Sequence, residues 1–295
     1  MGHIAQLAAP PDRSSGSSKR YPWWQAAVLV VLIGWLYSFI LYHLVVQWWQ
    51  DPNFSHGFFV PLFSTFVLWQ DRFRLARLSA IPSSWGLLIV VGALFVLIVG
   101  VTGAELFLSR VSFLLLIAGL VIFFLGWNYF RAVFFAWAFL ILMIPIPAII
   151  FNQITFPLQL VASKVAAMLL ALLGVPVLRE GNVINIPAMV LEVAEACSGI
   201  RSLLSLTTLA IIYGYLMEPR NSVRVGLALA SLPIAVVANS FRIVGTGLLV
   251  QYWDPEKAEG FFHAFSGWLI FVVSLLMLFL FHRVLLFWRD GKAHQ

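Results

Sequence analysis

Residues 85–101 read WGLLIVVGALFVLIVGV, a run with no charged residue and no hydrogen-bonding side chain beyond the indole of Trp85. A helix that is apolar all the way round has no face to offer water, so it lies in a large core or in a lipid bilayer. Composition decides between the two. Hydrophobic residues make up 62% of the 295 and charged residues 10%. A soluble domain averages about half apolar and a quarter charged. The chain is therefore an integral membrane protein, and the expected fold is an all-α polytopic bundle.

About 20 apolar residues carry a helix across the hydrocarbon core. Eight spans are expected on that basis, at residues 24–46, 57–69, 85–101, 108–126, 132–149, 200–217, 225–250 and 263–286. The second is short. Lys and Arg concentrate in cytoplasmic loops. Clusters at Arg72, Arg74 and Arg77, and at Arg220 and Arg224, mark that side, as do Lys19 and Arg20 before the first span and Arg283, Arg289 and Lys292 at the end. Both termini then lie inside, which requires an even number of crossings. The remaining apolar segment, residues 156–173, holds Gln159, Ser163 and Lys164. By parity it does not cross, and a re-entrant or interfacial helix on the outer face is expected. The following segment, GVPVLREGNVINIPAMVLEVAEAC, is then outside. REGN signals a turn, and VPVL, VINI and MVLEV are short β-branched runs bounded by Gly or Pro. They predict a small extended lip before the sixth span. Residues 1–22 read as a disordered cytoplasmic tail, 23–288 as the membrane domain and 289–295 as a second cytoplasmic tail. The first span is too long for a signal peptide and is expected to stay uncleaved.

Several function classes are excluded or weakened. The net charge of +6 comes from short basic clusters between apolar runs, a loop pattern rather than a nucleic-acid surface. One cysteine leaves no internal disulfide and no thiolate metal cluster. No His or carboxylate group has zinc-ligand spacing, and His43, His56 and His282 are scattered; His56, on an outer loop, is the one worth following. No glycine-rich phosphate loop is present, and Gly245 and Gly247 lie within a span, where small residues favour close helix packing. No metal or organic cofactor is expected.

The lone cysteine, Cys197, sits in EVAEACSGIRSLLSL at the mouth of the sixth span. A free cysteine is most often a small buried hydrophobe, but this one has charged neighbours. Arg242 stands out as an ionisable group inside a span, where a charge costs at least about 2.5–3.5 kcal/mol and usually faces a cavity or protein interior. Asn239 lies three residues earlier on nearly the same face. Arg201 follows Cys197 by one helical turn, and His263 opens the last span. All map to the outer ends of three helices. If those helices adjoin, the residue types fit acyl transfer. Arg242 or Arg201 favours the thiolate or stabilises an oxyanion, and His263 accepts the thiol proton and returns it to a leaving amine. Structural pairing of Arg242 within the bundle is the plainer alternative. Glu195 and Arg201 contact substrate or pair with each other, and Ser198 enters the helix beside the thiol.

At EACSGIRSLLSL, NSFRIVGTG and FFHAFSGW the sequence resembles the exosortases, within the exosortase/archaeosortase group of membrane proteins. The resemblance runs from about residue 57 to 286. It implies a sortase-like cysteine protease or transpeptidase in the inner membrane of Gram-negative bacteria, with its active site facing the periplasm. Its catalytic residues would be Cys197, Arg242 and His263, with Arg201, Glu195, Asn239 and Ser198 in supporting or substrate-binding roles. Implied partners are membrane-anchored proteins bearing a Pro-Glu-Pro motif, a transmembrane helix and a basic tail, in a setting of exopolysaccharide export. The fused domain that some members carry after the membrane region is expected to be absent. Rival classes are a transporter of an anion or lipid-linked sugar and a non-catalytic assembly factor for polysaccharide export; both predict function without the thiol.

Overall fold

The computed structural model describes residues 23–192, 199–252 and 261–293, with side chains described outside 192, 199–202, 261–266 and 288–293. The chain forms a helical membrane bundle with one small sheet. It divides into an N-terminal unit ending at Phe39 and a second unit from Ile40 onward. The first unit is built on α1 (Trp23–Leu36), which has no buried residue. An apolar helix exposed on every side is what lipid, and not water, accommodates.

In the second unit, α2 (Ser38–Gln50) leads into a 3₁₀ helix (Pro52–Phe58), then α3 (Phe59–Gln70) and the short α4 (Arg72–Ala76). α5 (Trp85–Thr102) and α6 (Leu106–Leu125) form a tight antiparallel pair, and α7 (Trp127–Phe139) runs into a 3₁₀ turn (Leu140–Met143). A Cβ at Gly86 would collide with the backbone of Phe123. That bare backbone surface is what draws two helices so close where lipid offers no hydrophobic driving force. Gly126 turns the chain from α6 to α7 at φ +88, a conformation glycine adopts without steric cost.

α3, α7 and two later helices, α9 (Gly199–Met217) and α10 (Asn221–Tyr252), come together at one end. Asp71, Arg74, Tyr215 and Arg224 line a common polar cavity of about 290 Å³ there. This is the basic end. Arg224 donates from Nε to Glu218 O at 2.6 Å and from Nη2 to Tyr215 O at 3.2 Å, capping α9 with a cation where the helix dipole is negative. α11 (Phe261–Ala293) joins through His282, whose Nδ1 is 2.8 Å from Tyr213 Oη and whose Nε2 is 3.5 Å from Glu218 Oε1. The far end holds the close of α2, the 3₁₀ helix and the turn before IPIP. Trp48 Nε1 donates to Met143 O at 2.9 Å there.

Among the described residues five helices are long and apolar enough to cross a membrane, α5, α6, α8 (Ala148–Leu172), α10 and residues 267–287 of α11, or six if α1 and α2 make one broken span. Of the other expected spans, α3 has 12 residues, and α7 reaches its full apolar length only with its 3₁₀ turn.

α8 differs from expectation. It is one continuous helix, with Pro157 inside it, and not a helix–loop–helix re-entrant hairpin. Its length would permit crossing, yet its neighbours place both halves near the far end. Phe151 packs against Phe54 of the 3₁₀ helix. Leu170 packs where a Cβ of Gly247 would stand, five residues before α10 ends.

The extended lip forms as the sequence indicates. β1 (Leu178–Glu180), β2 (Val183–Ile186) and β3 (Met189–Glu192) make a three-stranded antiparallel sheet in the order β1-β2-β3. Glu180 faces Val183 across a two-residue turn, and Gly181 takes φ +64. The polar residues of α8 hold that turn. Ser163 Oγ lies 3.0 Å from Gly181 O, and Asn182 Nδ2 lies 3.5 Å from Gln159 Oε1. Below it, Ile184, Leu191, Ala166, Leu170, Ile243 and Val250 close one apolar core. That core joins sheet, α8 and the last turns of α10.

Candidate active site

Arg201 falls on α9, Asn239 and Arg242 on α10 and His263 on α11, and each of these helices packs on the other two. Their relative height is set by two polar cross-links. Thr207 Oγ1 and Ser231 Oγ are 2.9 Å apart, which fixes α9 against α10. The Tyr213–His282 contact fixes α9 against α11. α10 runs antiparallel to the other two, because Glu218 at the end of α9 contacts His282 late in α11, while α10 begins three residues after Glu218. The first turns of α9 and α11 therefore start at the far end, where α10 finishes.

Arg242 is 5% exposed, ten residues before the end of α10, about 15 Å along the helix axis. The expected burial within a span is what the structure has. Asn239 is 7% exposed one turn earlier, and its Oδ1 has no hydrogen-bond partner among the described residues. Ser240 is satisfied locally, donating to Val236 O at 2.9 Å. Ala238, Ile243 and Val244 are buried beside them, so this stretch of α10 faces protein over much of its circumference. Desolvation strengthens the field of the Arg242 guanidinium on any group that shares its site.

Cys197, Glu195 and Ser198 lie outside the described residues. Arg201 is in the first turn of α9 and His263 in the first turn of α11 by backbone, and their side chains also lie outside what is described. Three elements that carry site residues thus adjoin, while the distances among the sulfur, the imidazole and the guanidinium stand outside the described geometry.

Other residues raised by the sequence have definite places. His56 is 7% exposed in the 3₁₀ helix, which packs on α9. Its Nε2 is 3.2 Å from Leu142 O and its Nδ1 has no partner. Burial pushes its pKa down, against a smaller opposing pull from the backbone at Leu142 and Asn53. The ring is therefore neutral at pH 7, a donor through Nε2. Gly57 beside it leaves room for the Trp48 indole, which a Cβ would strike. Arg179, a basic residue of the lip, donates to Gly181 O at 2.7 Å and to Ser163 Oγ at 3.4 Å, so its guanidinium serves the turn. Among the described residues no group of three His, Cys, Asp or Glu is placed to hold a metal ion.

An apolar cavity of about 630 Å³ lies elsewhere, between α2, α3, α6 and α7. Sequence reasoning also passed over a second buried arginine, Arg110, 4% exposed in the first turns of α6. Its signal was legible in LFLSRVSFLLL, but a cation one turn from a span's edge resembles one that reaches out to water.

Residues 48–280 match the family described as transmembrane exosortase. No curated protein and no solved structure matches the chain.

Proposed function

The chain belongs to the transmembrane exosortase family, and from that premise we propose that it is a membrane-embedded cysteine transpeptidase that cleaves C-terminal sorting signals through a thioester. The observation that supports this most is the buried Arg242 on the helix that packs against both α9 and α11. Sequence spacing fits a common level. Arg242 is eleven residues beyond Ser231, and Cys197 is ten residues before Thr207, its bonded partner. His263 opens α11 on the same side of the bundle.

In the proposed reaction His263 takes the Cys197 proton and the thiolate attacks a peptide carbonyl carbon of the substrate. The developing oxyanion is stabilised by a guanidinium, Arg242 in this assignment. Collapse breaks the C–N bond, and the imidazolium gives its proton to the departing amine. The thioester then passes its acyl group to water or an acceptor amine, which restores the thiol. Arg201, Glu195, Asn239 and Ser198 support or contact the substrate. The substrate proposed is an exported protein whose Pro-Glu-Pro motif stands just above its own transmembrane helix and basic tail. The site then faces the periplasm, with both termini in the cytoplasm.

The test is co-expression with such a substrate, following removal of its basic tail. Wild type is expected to process it. Cys197→Ala and His263→Ala are expected to abolish processing, and Arg242→Ala to slow it about 100-fold or more. Intact-mass detection of an acyl adduct on wild type, absent from Cys197→Ala, distinguishes an enzyme from a scaffold. Undiminished processing by Cys197→Ala would remove the proposal.

A further inference from the structure

Arg110 is a buried charge for which the mechanism has no use. Among the described residues its Nε and Nη2 have no hydrogen-bond partner and no carboxylate stands within ion-pair distance, although Glu105 acts on it from farther away. A guanidinium taken out of water without an anion is strongly unfavourable, and inside membrane segments such groups mark binding sites or ion paths. Its surroundings point to the former. Arg110 lines a pocket of about 400 Å³ between α6 and α2 whose wall is mostly apolar, with His43, Gln47, Gln50 and Asp51 as its other polar residues. The pocket is at the far end, and Arg110 lies only four residues beyond Leu106, about 6 Å along the axis. That depth is where phospholipid headgroups meet the hydrocarbon. On neighbouring faces of α2, Tyr42 and Trp49 are 66% and 82% exposed, as aromatic side chains at a membrane interface are.

We propose that this pocket binds the headgroup of a phospholipid from the leaflet at the far end. Arg110 lines that pocket, and its guanidinium supplies the positive charge that draws the phosphate. Asp51 at the pocket wall selects further. Its Oδ1 accepts from Asn53 N at 2.9 Å, and its charge repels a bare dianion. It suits a headgroup that carries an amine beyond its phosphate, so a zwitterionic lipid such as phosphatidylethanolamine fits best. An inorganic phosphate lacks both the amine and the acyl chains that would lie on the exposed apolar sides of α2.

The test is native mass spectrometry of the full chain, extracted from membranes in mild detergent. Wild type is expected to retain one phospholipid more than Arg110→Gln. Gln50→Glu gives a second arm that spares Arg110. Gln50 is exposed, and a carboxylate there would compete with the phosphate. This variant is expected to lose the same lipid and, after delipidation, to share the thermal midpoint of delipidated wild type. Delipidated wild type should gain several degrees in midpoint on adding phosphatidylethanolamine and none on adding inorganic phosphate at equal phosphate concentration. Equal retention by wild type and Gln50→Glu would overturn the proposal, whether or not Arg110→Gln folds. So would an equal response to inorganic phosphate, or no bound lipid on wild type.

Discussion

Three arginines behave differently because their surroundings differ. Arg224 is satisfied by two carbonyls at a helix end, so it is a cap. Arg242 sits deep in α10 on the three-helix unit, and Arg110 lines a pocket at an interface. His56 shows the same dependence on context. Its depressed pKa means that the unfolded chain binds a proton more readily than the folded one at mildly acidic pH. Stability from this group is therefore present above about pH 6.5, the unfolded value, and is lost as pH falls below it. Thermal unfolding of wild type should move to lower temperature between pH 7 and pH 5. His56→Gln keeps a donor toward Leu142 O but cannot titrate, and it should lose part of that shift. An identical pH profile in the variant would show that the imidazole carries none of it.

Among the elements, the sheet and α8 explain each other. Gln159 and Ser163 make residues 156–173 a poor lipid-facing span, and the structure shows what they contact instead: the β1–β2 turn. That turn depends on Gly181 at φ +64. A β-branched residue there faces the left-handed penalty of about 1–2 kcal/mol. Gly181→Val is accordingly expected to lower the thermal midpoint by a few degrees and to raise proteolysis within residues 178–192. Gly174 has the same handedness at φ +82 and faces open space, so it tests backbone conformation without a packing change. The β-branched runs and the REGN turn were readable because strands and turns have short-range signals. That α8 is continuous was not, since Pro157 and the polar residues resemble breaks when read in one dimension.

On the scale of the molecule, orientation turns on α8. If both its ends lie at the far end, Lys164, exposed on α8, and Arg179 on the lip share one side of the membrane, while Arg77 lies on the other. Single cysteines at these positions, in a Cys197→Ala background, give a direct reading in intact cells. An impermeant thiol reagent should label positions 164 and 179 and spare position 77. Protection of position 179 together with 77 would mean that α8 crosses. The amino-acid sequence by itself determined that the chain lives in a bilayer, because hydrophobic length and the scarcity of charge are properties of segments. It also determined the family and which residue types can carry acyl transfer, since three motifs in order are a property of the chain. Only the tertiary structure decided that α9, α10 and α11 form one packed unit and that Arg179 serves a turn. It alone revealed Arg110 in a pocket of its own. These depend on which faces meet across tens or hundreds of residues, and helix-to-helix register is set by side-chain contacts such as Thr207 with Ser231 that no local pattern encodes.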